Sequence, residues 1–204
     1  DHRMLAGELT LLSTLIHFFI GLAFFLSAFL KLCAIEVPRI KRLEKFSSLF
    51  LVLGGAIPLF LLFIRLGGAD KAFANLATKP EFLILISIML FMICAGLSEF
   101  MVFREKEGVL WHYSFFAFIF AVGALFLNLY DNRFAFMNHV SIGVGIILYA
   151  VGGFFCRLRP SKAVKIISLF LLVVSSLLLM TYSENPRSFV SGSVILEADA
   201  PINK

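Results

Sequence analysis

Six long apolar runs, separated by short polar segments, set the plan of this chain. They fall at residues 9–35, 46–64, 82–103, 110–131, 137–155 and 163–182. Each is near the roughly 20 residues that a helix rising about 1.5 Å per residue needs to cross a hydrocarbon layer about 30 Å thick. Inside the runs the apolar residues lie on every side rather than along one stripe, and a helix apolar all round is either deeply buried or bathed in lipid. Six such segments in one chain leave too few polar residues to cover them, so the expected solvent is a lipid bilayer. The predicted fold is all-α, a polytopic membrane protein built as a six-transmembrane-helix bundle over 1–182, with a polar tail over 183–204.

Breaks between the runs carry their own signals. Pro38 ends the first run, and Gly67 with Gly68 ends the second. Asp70 is expected to cap a short surface helix over 70–77, whose Phe73, Leu76 and Ala77 would lie on the membrane. Thr78 and Glu81 match a capping box with Pro80 in the first turn, opening the third span. A tight turn at 104–108 makes spans three and four antiparallel neighbours, and Pro160 precedes the sixth. Within the second span, Pro58 removes a backbone donor and clashes with the Gly54 carbonyl, which predicts a kink or hinge at Gly54 and Pro58. The first run is too long for the core of a signal peptide and is followed by no small-residue cleavage site, so it is expected to remain in the mature protein. In the tail, 189–196 has the composition of a strand.

Composition agrees with this pattern. The chain is 60% hydrophobic and only 15% charged, with mean hydropathy +0.97 and 25 Phe; a soluble domain sits near a quarter charged. The net charge of +5 does not point to nucleic acid, because the basic residues gather at the ends of apolar runs, and no basic groove interleaved with aromatics is visible. Eleven of them (Lys31, Arg39, Lys41, Arg42, Lys45, Arg104, Lys106, Arg157, Arg159, Lys162 and Lys165) fall on the side of connections 1–2, 3–4 and 5–6, against seven on the other. The positive-inside rule then predicts both termini on the non-cytoplasmic side. Cys33, Cys94 and Cys156 all fall in the inner half, where thiols stay reduced, and read as small apolar fillers.

Chemistry is sought among ionisable groups at membrane depth, which cost a few kcal/mol each on insertion scales. Glu99 stands five residues before Arg104, roughly 7 Å along a helix, and His112 enters the next span by a similar distance. Glu99, His112 and Arg104 therefore form a candidate inner polar group: a proton-accepting pair or an ion site at the cytoplasmic mouth, or else a satisfied interfacial pair. At the opposite end Asn128, Asp131 and His139 surround a turn, and His17 lies in the first span. His17 and His139 differ in expected depth by three to six residues, roughly 5–9 Å at helical rise, a poor match for two axial haem ligands. Haem ligation by these two histidines and a copper or zinc site from His17, His139 and Asp131 are the only cofactor alternatives, and no cofactor is predicted. Ser141, Gly145 and Gly153 recur at helical spacing in the fifth span and suit close contact with another helix, including one from a partner or a second copy.

No G-x-S-x-G, H-E-x-x-H, Walker loop or metal-spaced cysteine group occurs. The leading expectation is a non-enzymatic accessory or scaffold subunit of a membrane assembly. A small-solute or ion channel or transporter is the alternative. It is suggested by Pro58, by the small residues of span five and by a faint echo between the segments starting at Phe18 and Phe115, as in inverted repeats. A haem- or metal-binding membrane redox protein is the third.

Overall fold

The structure, a computed structural model, describes residues 6–65, 67–68, 80–104, 108–129 and 133–182. It is built of six helices, α1 (Ala6–Glu36), α2 (Phe46–Arg65), α3 (Pro80–Arg104), α4 (Val109–Phe126), α5 (Arg133–Leu158) and α6 (Lys162–Thr181), with a short 3₁₀ turn at Pro38–Leu43. All six are long and apolar enough to cross a membrane. This is an integral, multi-pass membrane protein. The expected surface helix over 70–77, the Thr78–Glu81 capping box, Asp131 and the strand in the tail lie outside the described residues.

Local chemistry explains where the helices stop. α2 closes in a Schellman motif: the Gly68 N–H reaches the Phe63 carbonyl at 3.0 Å, and the Gly67 N–H reaches Ile64 at 3.1 Å. Gly67 takes φ 80°, a left-handed backbone that costs glycine nothing. α4 ends five residues short of the expected 131. There the Asn128 and Leu129 N–H groups bond three residues back, to Leu125 and Phe126, and the tightened turn unwinds the helix. Pro160 disfavours helix at Arg159 and so closes α5. The Ser161 side chain then caps α6 by accepting from the Val164 N–H. α2 runs on through Pro58 as a continuous helix.

Each helix packs antiparallel against its neighbours in sequence, and α6 closes back on α1, so the bundle is a ring α1–α2–α3–α4–α5–α6. An exposed Lys162–Glu36 pair at 2.8 Å ties α6 to α1 at one end, and such a pair contributes little. Glycine sets the spacing of every seam but one. Gly54 abuts Ala23 of α1, and Gly55 abuts the Met89 carbonyl of α3. Gly96 of α3 lies against the Ser48 carbonyl, Gly123 and Gly143 meet between α4 and α5, Gly145 and Gly152 receive Ser175 and Ser168 of α6, and Gly21 touches the Ser176 carbonyl. The exception is α3–α4, where the Phe91 and Phe118 rings pack 5.8 Å apart. With lipid outside as apolar as the core, close backbone approach is what holds such helices together.

Phe24, Met89, Met92, Ile119, Ile142 and Ile146 are fully buried and fill the middle of the ring. Outward-facing Phe60, Leu110, Met137 and Phe170 are each at least 60% exposed, the surface of a helix bundle in lipid. Gly145 faces α6 and Gly153 faces Phe116 of α4, so two of the three small residues marked for association are occupied on different seams within the chain. Ser141 is exposed and donates to the Met137 carbonyl at 2.8 Å. The sequence echo has no counterpart in environment. Lys31 and Asn128 stand at equivalent positions of the two segments, yet one is 7% exposed inside α1 and the other is exposed in a turn.

Candidate functional site

Two polar centres lie inside the ring, one toward each end, separated by the apolar middle. The first gathers around Lys31. Its ammonium forms an ion pair with Glu99 Oε1 of α3 and donates to the Tyr149 hydroxyl of α5 at 3.1 Å. It also sits 4.6 Å from the centre of the Phe115 ring of α4. An ammonium has three N–H donors, and here a carboxylate, a phenol and an aromatic face take them up. Lys31 is 7% exposed and Glu99 5%. Both charges are thus out of water, where they persist only by pairing. One oxygen is left over: Glu99 Oε2 is buried without a hydrogen-bond partner among the described residues.

This pairing brings α1, α3 and α5, alternate members of the ring, together across its axis. Lys31 lies five residues before the end of α1 and Glu99 five before the end of α3, roughly 7–8 Å inside at helical rise. Sequence reasoning placed Lys31 with the connection that follows it and overlooked Tyr149. Removing Lys31 from the count of connecting charges leaves ten basic residues against seven. The signal for the pair was present as two opposite charges at equal depth on non-consecutive helices.

Neither of the other expected members makes a hydrogen bond or ion pair with Lys31 or Glu99 among the described residues, though His112 lies close enough to feel the Glu99 charge. His112 is half-buried in the first turn of α4. Arg104 is exposed at the end of α3, where it borders a groove on the outside of the bundle.

At the opposite end, His17 of α1 and His139 of α5 come together with ring centres 5.7 Å apart. Tyr182, just past α6, packs against both, at 4.7 and 5.0 Å, and Phe126 at the end of α4 flanks His139 at 6.2 Å. All three of His17, His139 and Tyr182 are buried. His17 Nδ1 donates to the Ser13 carbonyl at 2.8 Å, with the Ser13 hydroxyl at 3.3 Å. That bond fixes the ring and leaves Nε2 of the neutral imidazole with its lone pair. The depth mismatch expected between the histidines does not keep them apart, because α1 and α5 do not begin in one plane. Tyr182 carries no sequence signal beyond its position at the end of a span. Asn128 is exposed and its amide donates to the Ala124 carbonyl at 2.9 Å, away from the histidines.

Among the described residues no group of three or more His, Cys, Asp and Glu side chains converges. Cys33, Cys94 and Cys156 are free and half-buried. Comparison with known protein families, with curated proteins and with solved structures gives no match.

Proposed function

We propose that this membrane protein is a small-solute or ion transporter in which the Lys31–Glu99 pair serves as the internal gate. The observation that carries the reading is the buried ion pair with one carboxylate oxygen open. Ionisable groups at membrane depth mark ion and substrate pathways, because a merely structural role can be filled at lower cost by apolar side chains. A proton or cation arriving at Glu99 Oε2 would compete with Lys31 for the carboxylate. Loss of that contact would loosen α1 from α3 and α5 across the axis while each seam of the ring stayed packed. The excess of basic residues at this end supports a cytoplasmic location for it, with both termini on the far side. The accessory-subunit expectation rests on an apolar surface that lipid alone accounts for.

Proteoliposomes test the reading with protons, sodium, potassium and a panel of labelled small solutes. The expected result is flux of at least one of them, reduced at least tenfold in the double variant Lys31→Met/Glu99→Gln, which keeps side-chain volume without the charges. No flux of any solute tried, or equal flux in the folded double variant, overturns it.

A second reading, a metal-binding redox protein, is favoured by the approach of His17 and His139. With a metal–nitrogen bond of about 2.0–2.1 Å and about 1.2 Å from nitrogen to ring centre, two imidazoles on one ion have centres about 5.2 Å apart at a tetrahedral angle and about 6.4 Å apart in line. The observed 5.7 Å lies between. Tyr182, wedged against both rings, occupies the space beside them that a porphyrin would need, so the geometry suits a small ion better than haem. On this reading the purified protein retains about one copper ion per chain by elemental analysis, lost in His17→Ala; zinc in its place would make a metal site without redox chemistry. A metal-free protein with no Soret band removes both versions.

A further inference from the structure

On the outside of the ring, at the end where α2 begins and α3 stops, the two helices part to leave a groove of about 660 Å³. Its shape follows from Gly96. A Cβ there would stand 2.7 Å from the Ser48 carbonyl and 2.8 Å from the Val52 amide nitrogen, so the helices touch backbone to backbone at Gly96, at the inner end of the groove. The walls are apolar, with Leu49 and Val52 on α2 facing Leu97 and Phe100 on α3. The mouth carries two cations, Lys45 just ahead of α2 and Arg104 at the last residue of α3. Both are exposed, and neither is in an ion pair among the described residues. Lys45 reaches over the Phe46 ring at 5.5 Å, which holds its ammonium beside the groove.

A water-soluble anion would find cations but no use for the apolar slot, and a neutral acyl chain would find the slot but no use for the cations. One class of molecule needs both. We infer that this groove holds an anionic phospholipid, its headgroup phosphate between Lys45 and Arg104 and one acyl chain along Leu49, Val52, Leu97 and Phe100. The distance from Lys45 to Val52, seven residues or roughly 10 Å of helix, takes the chain from headgroup level into hydrocarbon. The site stands on the outer side of the turn of α3 that carries Glu99, and the inference holds whether or not the protein transports anything.

The test uses the full chain, reconstituted in nanodiscs of phosphatidylcholine with phosphatidylglycerol and then released into detergent for native mass spectrometry. Phosphatidylglycerol is expected to be retained on the protein in preference to phosphatidylcholine. Each surface cation near anionic lipid is worth about a fivefold preference, so Lys45→Gln/Arg104→Gln should reduce the retained ratio about thirtyfold. Leu49→Trp, which fills the slot at a half-exposed position and leaves both charges, should also expel the lipid. Arg159→Gln, an exposed cation at the same end but outside the groove, should leave retention unchanged. Equal retention of the two lipids, loss in Arg159→Gln as large as in the double variant, or full retention in a folded Leu49→Trp overturns the inference.

Discussion

Glu99→Gln is expected to destabilise the folded protein by about 3–5 kcal/mol, and Lys31→Met by a similar amount, because each strands its partner as an uncompensated buried charge. The reason lies in the arrangement of Lys31. Lys31 is only 7% exposed, and of its contacts only Glu99 carries the opposite charge. Tyr149 and Phe115 supply a dipole and a quadrupole, which soften the loss without replacing it. The double variant Lys31→Met/Glu99→Gln removes both charges at nearly constant volume and should recover most of the stability, ending within about 1–2 kcal/mol of the natural protein. Equilibrium unfolding in mixed micelles, followed by circular dichroism, measures all three variants and completes a double-mutant cycle with a coupling of at least about 2 kcal/mol. Single variants that cost under about 1 kcal/mol would mean that water reaches the pair. The cycle also separates stability from activity. A double variant that is stable and inactive assigns the pair to function, whereas one that is stable and active leaves it a packing feature.

The spans were legible because lipid acts on composition without regard to direction. A segment such as 163–182 is apolar on every side, so its identity as a helix crossing a bilayer needs no knowledge of its neighbours. Ends were less legible. The last turn of α4 depends on three-residue hydrogen bonds at Asn128 and Leu129 that no residue type demands. Pro160 and Gly67, which act through their own backbones, marked their ends plainly.

Pairing inside the ring needed information that depth does not contain. Consecutive helices are neighbours, and depth alone therefore suggests His112 as the partner of Glu99. Direction around the helix decides the partner, and Glu99 points across the axis, where α1 and α5 supply Lys31 and Tyr149. Because α6 closes on α1, any two helices of this ring face one centre, so non-consecutive helices share it as readily as consecutive ones. The histidines make the same point from the other end. Counted from the ends of their helices, His17 is eleven residues into α1 and His139 six into α5, yet their rings meet because the helix ends are staggered. The small residues of α5 were read as one face and serve two, Gly145 toward α6 and Gly153 toward α4.

Gly143→Ala is expected to cost about 1–3 kcal/mol, the range for forcing atoms into a filled contact, and no side-chain truncation should relieve most of it. A Cβ on Gly143 would stand 2.7 Å from the Gly123 carbonyl oxygen, and a Cβ on Gly123 would stand 2.9 Å from the Gly143 oxygen. Backbone stands in the way on each side, with Ile147 Cγ1 also 2.8 Å from a Cβ on Gly123, so α4 and α5 must separate along the seam. Leu127 also crowds the position, at 2.8 Å, and Leu127→Ala should recover only its own small share. Gly152→Ala provides the contrast, since the added methyl would meet the Ser168 hydroxyl, a side-chain atom that can be removed. Its cost should fall below about 1 kcal/mol in a Ser168→Ala background, where only the Ser168 Cβ, 3.0 Å away, still crowds the added methyl. Unfolding in mixed micelles reads both pairs, and rescue of Gly143→Ala by Leu127→Ala as complete as that of Gly152→Ala would show that the α4–α5 seam is held by side chains. The seam also carries consequences inward. Phe115 and Phe126 ride on α4, while Tyr149 and His139 ride on α5. A methyl group that drives the two helices apart therefore shifts one wall of each polar centre against the other.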